Sequence, residues 1–196
     1  MKTNTFLYIL RLALTLLAIT AIMAAALAGV NQITKDRISE MNEEKTEKAI
    51  QEVLDFPYEG MIEIAFTDDT GLVKRVYRAH NEPMEQDYAY AVEVAPTGFD
   101  GEISMMVGVD RSGAVLGISI ISHTETAGLG AVAAADSDTG KAFRSQFGHR
   151  MGTVTVTKDG GEIDAITGAT VTSRAICQGV NAALECVHNL HREVQP

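Results

Sequence analysis

The hydrophobic pattern changes its period twice along the chain. Residues 12–30 are almost continuously apolar and uncharged, and nineteen such residues at the helical rise nearly cross a hydrocarbon core. The run predicts one membrane-spanning helix from about Phe6 to Asn31. From Asn31 to Leu54 the chain turns polar and rich in Glu and Lys, with Ile33, Ile38, Met41, Ile50 and Val53 at roughly helical spacing. That predicts a charged stalk helix, and a plain surface helix of the following domain fits the spacing equally well. Beyond Leu54 the apolar runs become short and β-rich: Met61–Phe66, Leu72–Ala79, Tyr88–Val94, Ile103–Val109, Ala114–Ser122 and Thr153–Thr157.

Asp/Gly turns at 68–71, 110–113 and 159–160 separate these runs, which is the hairpin signal and predicts mainly antiparallel sheet. Tyr88-Ala-Tyr-Ala-Val-Glu-Val alternates only in part, as for a strand covered on one face. A short helix is expected over Ser137–Phe147, with Ala142, Phe143 and Phe147 on one side. A last helix from Ser173 to about His191 aligns Ile176, Val180, Leu184, Val187 and Leu190 in one stripe. The order predicts an α+β protein with a single N-terminal transmembrane helix and helices flanking the sheet. Its parts are an anchor over residues 1–31, a stalk over 32–56 and a domain over 57–196.

Lys2 and Ala26-Leu27-Ala28 would also suit a cleavable signal peptide, but the apolar run exceeds a usual signal core. Lys2 and Arg11 precede any acidic residue, so the positive-inside tendency points the N-terminus to the cytoplasm and the domain outward. All 26 acidic residues follow the anchor, against 14 of the 16 basic ones, leaving that portion at −12. Nucleic acid and anionic headgroups would be repelled by such a field.

Common catalytic signatures are missing: the sequence holds no GxxxxGK[ST] phosphate loop, no GxSxG elbow and no HExxH zinc helix. Cys177 and Cys186 lie nine residues apart on one expected helix, about 13 Å along its axis, too far to bridge. His188 and His191 near the helix end suit the dipole better than a metal.

Two stretches carry chemistry. In Ser122-His-Thr-Glu-Thr-Ala-Gly-Leu-Gly130 a β-branched strand ends in polar side chains and glycines that allow close backbone approach of a flat or phosphorylated ligand. In Asp164-Ala-Ile-Thr-Gly-Ala-Thr-Val-Thr-Ser173, Thr170 follows two residues with almost no side chain and precedes a helix whose free N–H groups favour an anion. Ordinary helix capping by Ser and Thr accounts for the same letters.

Asp164-Ala-Ile-Thr167-Gly168-Ala169-Thr170 is similar to the flavinylation motif of FMN-binding domains, whose last Thr or Ser carries FMN through a phosphoester. His123-Thr-Glu125-Thr126-Ala-Gly128-Leu129-Gly130 resembles the second signature of the same domains, with Ala127 where proline is frequent. Both, in this order behind one transmembrane helix, resemble the G subunits of Rnf complexes, membrane oxidoreductases that link ferredoxin and NAD to sodium or proton transport. The C subunits of sodium-translocating NADH:quinone reductases share the domain.

The resemblance implies FMN covalently bound to Thr170, attached from FAD by a separate flavin transferase with magnesium. Asp164 would serve recognition during attachment, while Thr167 and Ser173 would hydrogen-bond the phosphate or cap the helix. Gly168 and Ala169 would give access, and Thr172 is the rival attachment site. Glu125, Thr126 and the Gly128–Leu129–Gly130 backbone would contact the flavin ring, with His123 a weaker candidate. The implied partners are the other Rnf subunits, and the implied place is the cell membrane, with the FMN domain extracytoplasmic. Two other readings stay open: a stand-alone anchored flavoprotein carrier, and an anchored binding module without redox chemistry.

Overall fold

The computed structural model describes residues 2–54, 56–80 and 88–194. It contains one long N-terminal helix, α1, over Lys2–Val53. The part from Leu7 onward is apolar and long enough to be a candidate membrane span, and its apolar side chains through Val30 are exposed. The chain divides into two units, 1–44 and 45–196, so the last turns of α1 belong to the second.

In the second unit five strands follow one another in the sheet as they do in sequence: β1 Gly60–Glu63, β2 Val73–His80, β3 Tyr88–Val94, β4 Ser104–Asp110 and β5 Val115–Ser122. All four pairings are antiparallel. The first two Asp/Gly turns join strands as expected. Asp68 accepts N–H groups of Thr70 and Val73, and Asp110 accepts those of Ser112 and Ala114, so each carboxylate folds its turn locally.

Both faces of the sheet are covered. Ala49, Ile50 and Val53 at the end of α1 pack with Ala79, Ala89, Ala91 and Met106 on one face. The last helix, α3 over Thr170–Val194, packs with Tyr90, Val92, Val94, Met105 and Val107 on the other. Coverage of β3 on one face is therefore corrected: small alanines admit the end of α1, while the Tyr and Val side chains face α3. Glu93 escapes an apolar setting by accepting the Arg75 Nε–H at 2.7 Å on the neighbouring strand.

The sixth strand, Thr153–Thr157, does not form. Only an isolated parallel bridge joins Val156 to Ile163, and a 3-10 turn, Thr157–Asp159, replaces the third hairpin. Side-chain competition explains this. Asn181 of α3 accepts the Val154 N–H at 2.7 Å and donates to the Val154 carbonyl at 2.8 Å, taking the groups a neighbouring strand would need. The short helix α2 spans Asp138–Ser145, capped by Ser137. α3 starts at Thr170, three residues before the expected Ser173.

Candidate functional site

At the C-terminal end of β5 the chain enters the 123–130 loop and a 3-10 segment, Gly130–Ala134. Arg144 of α2 donates to the Ala133 and Ala135 carbonyls at 2.7 and 3.0 Å, tying this segment to α2. The second stretch is held by α2's C-cap: Gln146 accepts the Asp164 N–H at 2.7 Å and donates back to its carbonyl at 3.2 Å. Ser173, fully buried, accepts the Ile166 N–H at 3.1 Å and donates to Ala169 O at 3.0 Å. It fastens the Thr-Gly-Ala turn to the helix that follows, rather than capping that helix from outside.

Between the two stretches lies a cavity of about 300 Å³. Glu125, Thr126, Leu129 and Gly130 line it from one side, and Gly168, Ala169, Thr170 and Thr172 from the other. Residues more than thirty positions apart in sequence thus line one cavity. Asp164, Thr167, Gly128 and Ser173 are outside the lining. Asp164 and Thr167 are exposed, and Gly128 turns the loop at φ +76°.

Glu125 is the centre of the wall, at 8% exposure. One carboxylate oxygen accepts the N–H groups of Phe99 and Asp100 at 2.7 and 3.2 Å, and the other accepts the Thr172 hydroxyl at 2.6 Å. Burial alone pushes this carboxyl up. The Thr172 hydroxyl, the two backbone donors and His123 outweigh it and leave the group below the usual glutamate range. Three separate chain segments are clasped by a single anion. Gly130 is required for that closeness, because a Cβ there would stand 2.2 Å from a Glu125 carboxylate oxygen and 2.6 Å from Thr172 Oγ.

The two rival hydroxyls have different fates. Thr172 is 1% exposed and committed to Glu125, whereas Thr170 is half-buried and opens onto the cavity. Gly168, at φ +80°, makes the left-handed turn that presents Thr170 at the first position of α3.

Three cavity residues lie outside the two stretches or their key letters: Phe99, Val171 and Lys158. Phe99 is 72% exposed, and with Leu129 and Val171 it gives the cavity an apolar rim. Lys158 donates to Thr170 Oγ at 3.1 Å. The turn that carries it is pinned by Asp159, whose carboxylate accepts both Arg174 Nε–H and Nη2–H at 2.7 Å. Arg174 holds the Asp159 carboxyl below its usual range. A Lys-Asp-Gly turn signalled this segment in the sequence, but nothing there placed it over Thr170.

Among the described residues no cluster of three His, Cys, Asp or Glu could hold a metal ion. Cys177 and Cys186 are buried free thiols, and burial pushes Cys177 up to about 11, so it stays protonated.

Residues 98–185 match the FMN-binding domain, a span that contains Phe99, Glu125, Lys158 and Thr170. Residues 1–53 match the RnfG N-terminal region. The G subunit of the Na(+)-translocating ferredoxin:NAD(+) oxidoreductase complex of Acetobacterium woodii is 36% identical, over 94% of this chain and 94% of that one. The G subunit of the ion-translocating oxidoreductase complex of Vibrio cholerae is 30% identical, over 91% of this chain and 93% of its own. Among solved structures, the C subunit of the Na(+)-translocating NADH-quinone reductase of Parabacteroides distasonis has the same fold. The TM-score is 0.52 at 16% identity, covering 75% of this chain and 92% of that one.

Proposed function

The chain belongs to the RnfG family, the G subunits of ion-translocating oxidoreductase complexes, and from that premise we propose that it is the anchored electron-transfer subunit of such a complex, with FMN esterified to Thr170. The observation that carries this reading is the position of the Thr170 hydroxyl. It is half-buried, opens onto a cavity built from both flavin-domain stretches, and has a lysine beside it, while the rival Thr172 hydroxyl is buried and occupied.

The residues suit a flavin. A flat ring with apolar edges matches the rim of Phe99, Leu129 and Val171, and a phosphate matches the Thr170–Lys158 pole. At about 300 Å³ the cavity is at the small end of ligand pockets, so a ring seated there stays partly open to a partner. When bound, FMN supplies one- and two-electron transfer, which the side chains around it tune.

This chain's own residues then divide the work. Thr170 fixes the cofactor, so it is not lost where no flavin pool can replace it. The apolar rim of Phe99, Leu129 and Val171 offers packing surface for the ring. Glu125, already satisfied by Thr172, Phe99 and Asp100, holds the walls in register and has little capacity left for the ring. We read residues 1–31 as the membrane anchor and 32–56 as the stalk, whose last turns, from residue 45, are built into the FMN domain. Lys2 and Arg11 orient the N-terminus to the cytoplasm and the FMN domain, 57–196, to the outer side. The other Rnf subunits are its partners, and a flavin transferase matures it.

Purification of the tagged full-length chain from its own membranes in mild detergent tests the reading. The expected result is a flavin-fluorescent band that survives denaturation, disappears in Thr170→Ala, and co-purifies with further membrane subunits. A fluorescent band without companions would support the stand-alone carrier. A dark band from cells with active flavin transferase would support a binding module.

A further inference from the structure

Lys158 is absent from both flavin-domain stretches, yet it touches the atom on which the proposed attachment turns. Its ammonium donates to Thr170 Oγ at 3.1 Å, and among the described residues lining the cavity it is the one basic side chain. The chain beyond the anchor carries a net −12, so a cation beside the Thr170 hydroxyl locally offsets a field that opposes an incoming anionic nucleotide. The lysine is also held. Asp159, the next residue, is gripped through two hydrogen bonds of 2.7 Å by Arg174, one helical turn beyond Thr170 on α3. The turn bearing Lys158 and the helix bearing Thr170 are thereby tied together, which keeps the backbone of Lys158 within reach of the Thr170 hydroxyl.

We infer that Lys158 acts in flavin attachment, orienting the Thr170 hydroxyl and countering the charge that develops on it and on the phosphoryl group, with Asp159 and Arg174 as its positioning residues. This rests on the reading of Thr170 as the attachment site. In the step, a Thr170 Oγ–P bond forms to the FMN phosphorus of FAD, and the pyrophosphate P–O bond breaks. AMP leaves with the bonding electrons, and the hydroxyl proton passes to a base of the flavin transferase. Nothing is oxidised or reduced. A protonated lysine is not the base: it donates to the oxygen lone pair, lowers the cost of the emerging alkoxide, and afterwards faces the phosphodiester anion. Thr170 is half-buried and opens onto the cavity, which leaves its oxygen open to the transferase.

The test is the rate of covalent labelling of the purified full-length chain by FAD, Mg²⁺ and flavin transferase, followed by in-gel fluorescence and intact mass. Wild type, Thr170→Ala, Lys158→Ala, Lys158→Gln, Lys158→Arg and Asp159→Asn are compared. Lys158→Ala and Lys158→Gln should label at least about tenfold more slowly, short of the roughly 10²–10³ lost with a buried donor because this lysine faces water. Lys158→Arg should restore the rate to within about threefold, since charge and donor are kept, and Asp159→Asn should fall between. A structural role of the turn would not distinguish Gln from Arg. Equal rates for Gln and Arg, or Lys158→Ala within about twofold of wild type, would overturn the inference while leaving Thr170 in place. If Lys158→Ala fails to fold, the Gln and Arg pair decides. An unlabelled wild type, or a labelled Thr170→Ala, would instead remove the attachment reading and this inference with it.

Discussion

Replacing Thr172 with valine removes one hydroxyl and almost no volume, and its cost is readable from the geometry. Thr172 is 1% exposed and donates at 2.6 Å to a Glu125 carboxylate that is itself buried. A hydrogen bond to a charged group contributes about 1.5–3 kcal/mol, and the valine leaves a buried anion with two donors instead of three. Taking about 2 kcal/mol and about 2–4 °C per kcal/mol for a unit of this size, the melting temperature should fall by about 4–8 °C. The penalty must also depend on pH. The folded Glu125 lies below its ordinary value, so its stabilisation is fully present above the usual glutamate range, and is lost as pH falls through the lower, folded value. The assay is near-ultraviolet circular dichroism of the full chain in detergent, melted at about pH 7 and again at successively lower pH until the carboxyl is protonated in the folded state. A fall of under about 2 °C at neutral pH, or a penalty of the same size in acid, would refute the clasp as described.

Two further outcomes follow from neighbouring geometry. Asn181→Leu strips both hydrogen bonds from the buried Val154 backbone and should cost about 2–4 kcal/mol, seen as a lower urea midpoint with unchanged slope. Phe99→Ala, at an exposed position, should change stability by no more than about 0.5 kcal/mol, yet alter the fluorescence of the attached flavin, because the rim loses its aromatic face.

The sheet was legible because its turns are local. Asp68 and Asp110 fold their hairpins with their own side chains, and β1 to β5 lie within one residue of their expected places apart from the end of β1, which comes three residues early. Thr153–Thr157 misled for the opposite reason. Its β-rich letters are overruled by Asn181, a residue 27 positions away from Val154 that pattern reading cannot bring near. The start of α3 misled because Thr170, Thr172 and Ser173 look like caps. They occupy the first helical turn, with Ser173 N–H already bonded to Ala169 O at 3.0 Å.

The site divides in the same way. The two stretches were recognisable as letters, and the cavity brings them together. Phe99 and Lys158 had no signature, since each reaches the cavity through a tertiary anchor: the N–H groups of Phe99 and Asp100 on Glu125, and the Asp159–Arg174 pair under Lys158. Asp164 and Thr167 belong to the stretch, but both are exposed and lie outside the cavity lining.

Fragmentation of one tryptic peptide locates the flavin bond. Cleavage after Lys158 and Arg174 releases Asp159–Arg174, which holds all four hydroxyl candidates, Thr167, Thr170, Thr172 and Ser173. From the chain isolated out of its native membrane, this peptide should be heavier by FMN less water, with the added mass on Thr170 alone. An unmodified peptide, or the mass on Thr172 despite its bond to Glu125, would contradict it.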